Sequence, residues 1–312
     1  MLANALKKVV RGEVMADDDT LTKYSRDAGL FEVRPEVVVF PKDVEDVKNL
    51  VTYVNLSKRD KPNLSLTGRS GGTDMTGGSI NDSIILDFTK HFTKESVDEE
   101  NLRAVVEPGV FYRDFEEDTL PAHISLPSYP ASKSIAALGG MIMNNSGGER
   151  TLRYGQTRNF VKKIKMVLAD GNEYSFGSLS KSELEEKMAQ DDFEGEVYKK
   201  TYKLLEENYD LIKSAKPKVS KNSAGYALWD VWDRNKFDMT QLFVGSQGTL
   251  GIFTEAELKL VKEGKEPNQA LAYMEDGTMV AGLPVTVWDG VLPNGQGDFL
   301  LLSSPVQEPW LA

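Results

Sequence analysis

The sequence of 312 residues predicts an α+β fold with two subdomains and a C-terminal tail of different composition. The first observation behind this prediction is that short β-branched strands alternate with amphipathic helices. The second is that two stretches rich in glycine and other small residues interrupt these elements, and the third is a change of composition after Lys265. Apolar residues make up 40% of the chain and charged residues 27%, which is enough for a sizeable core and excludes general disorder.

Charge and residue counts exclude several kinds of partner and site. The formal net charge is −11, and an acidic field repels phosphate backbones, so nucleic acid is not expected as a partner. The chain has no cysteine, which rules out disulfides, thiolate nucleophiles and cysteine metal sites. The two histidines, His91 and His123, are too few for a histidine metal cluster, so no metal site is predicted. Since no run of about 18 apolar residues occurs, no membrane span is predicted.

Residues 1–30 are predicted to form an N-terminal helical segment. A short amphipathic helix is followed by an acidic linker at Asp17–Asp19. Lys7, Lys8 and Arg11 interrupt the apolar stretches, which is not the pattern of a secretory signal. A cytoplasmic location is therefore expected.

Residues 31–262 are predicted to be one domain, with subdomains at about 31–95 and 96–262. In the first subdomain Asp43 can cap a helix in which valines recur at three- and four-residue steps from Val44. The strands expected around this helix are Val37–Phe40, Asn63–Thr67 and Ser83–Phe88.

In the second subdomain the turn Asp170-Gly171 predicts a hairpin. An acidic helix is expected at Tyr112–Leu120, and two charged helices at Ser180–Gln190 and Glu196–Lys213. The predicted strands are Arg103–Val106, Lys163–Leu168, Glu173–Phe176 and Gly251–Val261.

Residues 263–312 are predicted to be an atypical and poorly ordered tail. From Glu266 to Ala312 there is no lysine or arginine, while proline and glycine recur. Val285–Trp288 and Phe299–Leu302 are the strands that this tail could form.

The glycine-dense stretch Gly68–Gly78 is the first candidate binding element. Adjacent glycines let a backbone turn tightly and place N–H groups on one concave side, which suits a diphosphate. Backbone amides need no net positive charge, so an acidic protein can hold an anion in this way. The stretch lacks the Gly-Lys-Ser/Thr of a Walker motif and the spacing of the usual dinucleotide fingerprint. A glycine-rich turn without a ligand stays open as the alternative.

Further motifs follow in order along the chain. They are Glu107–Gly109, Leu126–Ser128, Ile135–Gly140, Asn145–Gly148, Arg153–Arg158, Leu168–Gly171, Lys221–Tyr226 and Phe243–Ile252. Together with Gly68–Gly78 this series resembles the FAD-linked oxidases of the vanillyl-alcohol oxidase type, in the branch of the glycolate oxidases and D-lactate dehydrogenases. The resemblance covers about Pro35 to Lys262 and implies that family's two-subdomain FAD-binding fold. That fold has a small α/β subdomain and a larger mixed-sheet subdomain with flanking helices.

The resemblance also implies the residues of an FAD site. Those implied to hold the diphosphate are Arg69, Ser70, Gly71, Gly72, Thr73, Asp74, Thr76 and Gly77. Those implied along the flavin and its chain are Pro127, Gly139, Gly140, Asn145, Gly147 and Gly148, with Tyr154, Gly155 and Thr157 near the isoalloxazine and Gly248 and Ile252 on the adenine and ribitol side. A diphosphate repels the Asp74 carboxylate, which should therefore point outward or cap a backbone amide. A turn asparagine at Asn145, and solvated charges at Arg158 and Lys221, stay open.

The mode of attachment follows from two departures from the family pattern. Some members attach FAD through a histidine directly after the paired glycines, and others through a cysteine. Here Thr73 stands at the histidine position and the chain has no cysteine, so noncovalent FAD is predicted. His123 is expected at the surface, and an approach to the flavin is the alternative.

The resemblance implies an FAD-dependent oxidoreductase that transfers a hydride from a small 2-hydroxy acid or alcohol to flavin N5. It identifies neither the electron acceptor nor the catalytic residues. No histidine follows His123, whereas the family carries histidines in its C-terminal segments. Two alternatives therefore stay open: a flavin-binding module or truncated product whose substrate side comes from a partner subunit, and an enolpyruvyl-reductase-like flavoprotein. Slow oxidation of 2-hydroxy acids by the chain alone is expected.

Overall fold

The computed structural model describes residues 2–219, 221–263, 269–273 and 279–284, in two compact units, Met1–Lys262 and Glu263–Ala312. The described strands of the first unit are β1 (Glu13–Met15), β2 (Val37–Phe40), β3 (Leu66–Arg69), β4 (Ile84–Asp87), β5 (Glu95–Asp98), β6 (Arg103–Val106), β7 (Ile124–Ser125), β8 (Val161–Val167), β9 (Glu173–Ser180), β10 (Lys236–Asp238), β11 (Ile252–Lys259) and β12 (Val261–Lys262). Its described helices are α1 (Leu2–Leu6), α2 (Asp18–Lys23), α3 (Val44–Ser57), α4 (Tyr112–Thr119), α5 (Leu138–Met143), α6 (Thr151–Tyr154), α7 (Lys181–Ala189), α8 (Phe193–Glu207), α9 (Tyr209–Ser214), α10 (Leu228–Val231) and α11 (Thr240–Phe243).

The first sheet has four strands in the order β1-β2-β4-β3. β4 runs parallel to both β2 and β3, whereas β1 is antiparallel to β2. The side chains of Val37–Val39 and Ile84–Leu86 are fully buried. Continuous apolar runs of this kind are typical of strands that are covered on both faces.

α3 begins where the sequence predicts it. Asp43 caps the helix by accepting backbone N–H groups of its first turn, and the recurring valines face the core. Asp46, in the same turn, is fully buried and accepts the backbone N–H groups of Arg11 at 2.9 Å and of Gly12 and Lys42 at 2.8 Å. This carboxylate ties the N-terminal segment to α3.

The acidic linker predicted at Asp17–Asp19 is wrong. Asp17 accepts the backbone N–H of Thr20 and caps α2, while Asp18 and Asp19 lie in the first turn of that helix. The helix dipole favours negative charge at this end, so the acidic run starts a helix instead of a linker.

The second sheet has six strands in the order β10-β9-β8-β11-β6-β5, and every pairing is antiparallel. β11 therefore lies between β8 and β6 although it comes last of these strands in the chain. The core of this part contains fully buried aromatic side chains, including Phe176, Tyr198 and Phe237. The predicted turn Asp170-Gly171 joins β8 to β9, which confirms the predicted hairpin.

Several predicted elements have different bounds in the structure; β9, for example, extends to Ser180 instead of ending at Phe176. The helix expected at Glu196–Lys213 is interrupted at Asn208, which separates α8 from α9. The third strand begins at Leu66 instead of Asn63 and extends to Arg69, which pairs with Asp87 of β4. The glycine-dense stretch therefore starts inside the sheet.

The second unit contains a hairpin that was not predicted. β13 (Gln269–Tyr273) pairs antiparallel with β14 (Met279–Pro284). The strands predicted at Val285–Trp288 and Phe299–Leu302 lie outside the described residues. Among the helices that the structure describes, none has both the length and the apolar character needed to cross a membrane.

Candidate cofactor-binding cleft

The glycine-dense stretch borders a cleft in the first unit. The other walls of the cleft are α5 and the turn that leads into β11. The described residues that line the cleft are Gly68, Arg69, Ser70, Gly71, Gly72, Thr73, Asp74, Gly78, Ser79, Phe88, Pro108, Ala137, Gly139, Gly140, Met143, Asn144, Gln247, Gly248, Gly251, Ile252 and Phe253.

The geometry of the loop requires glycine at two adjacent positions. Gly72 has a φ of +65°, a region of backbone conformation that favours glycine. A Cβ atom on Gly71 would lie 2.7 Å from the carbonyl oxygen of Ile135. The loop can therefore approach the segment before α5 only because Gly71 has no side chain.

Asp74 directs its carboxylate to the loop itself. Its Oδ2 accepts the backbone N–H of Gly78 at 2.6 Å, and it also accepts the hydroxyl of Thr76 at 2.9 Å. The Asn144 amide donates to its Oδ1 at 3.3 Å. The expectation that Asp74 caps a backbone amide is confirmed, and its carboxylate is held by groups of the loop and by Asn144.

Arg69 is the only cation among the described residues that line the cleft. Its Nη1 donates to the carbonyl oxygen of Ser79 over a long 3.4 Å, and its guanidinium lies 5.1 Å from the ring centre of Tyr24. Within the described part of the chain it has no ion-pair partner within 4.0 Å. Burial lowers the pKa of Arg69, while Tyr24, Asp87 and Asp27 oppose that shift. The charge is thus partly desolvated and available to an anion.

Two further glycines leave open space in the cleft wall. A Cβ atom on Gly140 or on Gly248 would meet no described atom within 4 Å, and both residues line the cleft. Gly248 has a φ of +75°. A ligand can therefore approach the backbone closely at α5 and at the turn before β11.

The cleft brings together about half of the predicted site residues. Those that line it are Arg69, Ser70, Gly71, Gly72, Thr73, Asp74, Gly139, Gly140, Gly248 and Ile252. Those that do not are Thr76, Gly77, Pro127, Asn145, Gly147, Gly148, Tyr154, Gly155 and Thr157. Thr76 and Gly77 still belong to the loop, whereas Pro127 follows β7 and the others lie between α5 and β8.

Two of the residues outside the cleft have clear structural contacts. Asn145 is buried in a left-handed conformation with a φ of +48°, and its Oδ1 accepts the backbone N–H of Arg158. Thr157 is fully buried and donates to the carbonyl oxygen of Ser146 at 2.9 Å. Both residues hold the turns that follow α5.

Some residues that line the cleft were not predicted from the sequence. Asn144 and Met143 lie at the end of α5, Gln247 lies in the quoted motif Phe243–Ile252, and Phe88 ends a predicted strand. Their positions in or beside the predicted elements were visible in the sequence. Their approach to one cleft depends on long-range packing, which the sequence motifs did not show.

The remaining polar candidates lie away from the cleft lining. His123 is exposed in a left-handed conformation, and His91 contacts Glu13 at 2.8 Å. Arg158 donates from Nη2 to the carbonyl oxygen of Val244, and Lys221 is exposed. The structure therefore brings neither histidine to the cleft.

Comparison with known proteins gives a consistent result. Residues 35–177 match the family described as FAD binding domain. D-2-hydroxyglutarate dehydrogenase from Pseudomonas putida is 28% identical over 255 residues, which cover 80% of this chain and 25% of that protein. Glycolate oxidase subunit GlcD from Bacillus subtilis is 30% identical over 257 residues, which cover 81% of this chain and 43% of that protein. The solved structure of 6-hydroxy-D-nicotine oxidase from Arthrobacter nicotinovorans has a TM-score of 0.53 at 19% identity, and the match covers 81% of this chain and 43% of that one.

The match of residues 35–177 to the FAD binding domain indicates a flavin-nucleotide-binding protein, and FAD is the cofactor of this chain. The predicted fold of the vanillyl-alcohol oxidase type and the predicted resemblance to FAD-linked oxidases are confirmed. The chain spans less than half the length of these relatives.

Proposed function

We propose that the cleft holds FAD with its diphosphate against the loop Arg69–Gly77. The observation that supports this most directly is the combination of a backbone-walled loop with a desolvated, unpaired Arg69. A diphosphate accepts hydrogen bonds from backbone N–H groups and from a guanidinium, and bonds to a charged group contribute about 1.5–3 kcal/mol each. The open faces of Gly140 and Gly248 leave room for the rest of the cofactor.

The residues assigned to FAD are those that the sequence predicted. We assign Arg69, Ser70, Gly71, Gly72 and Thr73 to the diphosphate, with Asp74, Thr76 and Gly77 shaping the loop. Gly139 and Gly140 would contact the flavin chain, and Gly248 and Ile252 the adenine and ribitol side. Pro127, Asn145, Gly147, Gly148, Tyr154, Gly155 and Thr157 would support the flavin side from outside the cleft lining. The subdomain division near residue 95 is part of the same proposal, since β5 begins at Glu95.

FAD is held without a covalent bond in this proposal. Thr73 lines the cleft at the attachment position, and the chain has no cysteine. The purified protein should show a flavin spectrum, and acid precipitation should release the colour into the supernatant. A colourless protein that does not take up added FAD would contradict the FAD site, whereas colour retained in the pellet would contradict only the noncovalent attachment.

The reaction we propose is the oxidation of a small 2-hydroxy acid. Bound FAD supplies the hydride acceptor for such a reaction. The names of the relatives, D-2-hydroxyglutarate dehydrogenase and glycolate oxidase subunit, support this substrate class. The proposal leaves the electron acceptor open and keeps the expected cytoplasmic location as a prediction.

One observation favours a second candidate, a flavin-binding module whose substrate side comes from another polypeptide. The described cleft lining contains no histidine, and its only carboxylate, Asp74, is bonded to its own loop. A general base for the substrate hydroxyl is therefore missing from the described lining. Reduction of the bound flavin by 2-hydroxy acids, with and without added partner protein, distinguishes the two candidates.

A further inference from the structure

We infer that Tyr24 is a positioning residue for the cofactor site. Its hydroxyl donates a hydrogen bond to the Asp87 carboxylate, and the Arg69 guanidinium therefore stays available to an anion in the cleft. This inference rests on the proposed FAD site and extends it to residues that do not line the cleft. Tyr24 follows α2 in the N-terminal segment, outside residues 35–177.

Both oxygens of the Asp87 carboxylate accept hydrogen bonds from neutral donors. Its Oδ2 accepts the Tyr24 hydroxyl at 2.6 Å, and its Oδ1 accepts the backbone N–H and the hydroxyl of Thr89 at 2.7 and 2.6 Å. Asp87 and Tyr24 are both buried, at 4% and 5% exposure. Burial and the Asp87 charge raise the pKa of Tyr24, so the phenol stays a neutral donor at physiological pH.

Arg69 lies next to this pair and next to the loop. Its guanidinium packs against the Tyr24 ring, and a Cβ atom on Gly72 would lie 2.5 Å from its Nη2. β3 and β4 place Arg69 directly opposite Asp87. Even so, no ion pair joins these two residues within 4.0 Å, although the strand register makes them neighbours.

The Asp87 carboxylate and the cofactor diphosphate would compete for the Arg69 guanidinium, and this competition explains the role of Tyr24. A buried carboxylate that loses a donor must find another, because an unsatisfied buried charge is costly. Arg69 lies opposite Asp87 in the register of β3 and β4. Without the Tyr24 hydroxyl, Asp87 would therefore draw the guanidinium away from the Gly72 backbone and from the diphosphate.

The test compares Tyr24→Phe with the control Tyr53→Phe. Tyr53 is a half-buried tyrosine of α3 that does not line the cleft. Affinity for FAD and for ADP, which carries the same diphosphate, is measured by calorimetry on the apoprotein. Tyr24→Phe is expected to weaken both ligands about tenfold, while Tyr53→Phe leaves both unchanged.

Two double variants separate positioning from a general loss of structure. In an Arg69→Met background, Tyr24→Phe should have no further effect, because the group on which it acts is gone. In the variant Tyr24→Phe with Asp87→Asn, the competing charge is removed and affinity should return to within about twofold of that of Asp87→Asn alone.

The outcomes are distinguishable. If the wild-type protein binds neither FAD nor ADP, the proposed function and this inference both fail. If the wild-type protein binds them and Tyr24→Phe has no effect, or has an equal effect in the Arg69→Met background, the inference alone is overturned. A failure of Asp87→Asn to restore affinity would likewise show that Tyr24 acts in another way.

Discussion

Gly72 is constrained both by its own backbone conformation and by the neighbouring Arg69 side chain. Its φ of +65° disfavours any β-branched residue. The position of its missing Cβ atom points to the Arg69 guanidinium and not to the open face of the cleft. A side chain at this position would therefore displace the Arg69 guanidinium.

Gly72→Val is therefore expected to abolish FAD binding, with a loss of affinity of about 100-fold or more, because Arg69 and several loop amides would move together. The measurement is flavin content and FAD affinity of the folded variant. Gly225→Val is the matched control, since Gly225 has a φ of +68°, no described atom within 4 Å of its Cβ position and no place in the cleft lining. Equal losses in both variants would show that backbone strain alone is responsible.

At the residue scale, the sequence predicted the loop well and the supporting contacts poorly. Adjacent glycines are visible in a sequence, and so is the conflict between Asp74 and a diphosphate. The sequence also predicted that Asp74 would cap a backbone amide, as it does at Gly78, but not the bond from Asn144, which is 70 residues away from Asp74. Tyr24 escaped notice for the same reason, since its partner Asp87 is 63 residues away.

The contact between β5 and α4 concentrates negative charge. Glu95 is half-buried, and burial, a hydrogen bond with Asp118 and the charges of Asp118 and Asp114 raise its pKa from 4.5 to about 7. The folded state thus binds this proton more tightly than the unfolded chain does. The associated stabilisation is fully present below pH 4.5 and is lost as the pH rises through about 7.

Glu95→Gln keeps the neutral form at every pH. We expect its melting temperature to exceed that of the wild-type protein at pH 8 and to match it more closely at pH 5, because the wild-type carboxyl is mostly protonated at the lower pH. Thermal unfolding of both proteins across this range is the measurement. Glu99→Gln, at an exposed position after the same strand, should show no such trend. A constant difference between Glu95→Gln and wild type would contradict the titration.

Asp46 connects two elements through three backbone N–H groups. Asp46→Asn replaces one carboxylate oxygen with a donor and leaves buried N–H groups without an acceptor. We expect a loss of about 2–4 kcal/mol in the free energy of unfolding, measured with urea. The exposed Asp60→Asn, on the turn after α3, should change it by less than about 0.5 kcal/mol. Equal stability of the two variants would contradict a role for Asp46 as a connector.

Elements with a strong local signal were predicted, whereas elements defined by pairing were not. The valine spacing and Asp43 located α3, and Asp170-Gly171 located the hairpin of β8 and β9. The helix α2 was missed because its acidic first turn resembles a linker when composition alone is considered. The strand β1 was missed because three residues carry no period, and only its pairing with β2 defines it.

The whole molecule combines the proposed cofactor cleft with a described lining that contains no general base. We therefore expect the chain to bind FAD but to oxidise D-lactate, glycolate and D-2-hydroxyglutarate slowly, since loss of a general base typically reduces rates by about 10²–10⁴-fold. Anaerobic bleaching of the bound flavin measures this step directly. Reduction by dithionite is the control that shows the flavin is accessible. Fast bleaching by any of these acids, without added protein, would refute the expectation.

The central position of β11 in the second sheet has a consequence for how the protein forms. During synthesis β6 and β8 leave the ribosome with no partner between them, and β11, which pairs with both, emerges only when residues 252–259 have been made. Until then two strand edges stay open to aggregation. Gly248 and Gly251 line the cleft just before this strand, and Ile252 and Phe253 line it from the strand itself. The sheet and the cofactor site are therefore completed by one late event, and a nascent chain that stops before β11 should neither fold nor bind flavin.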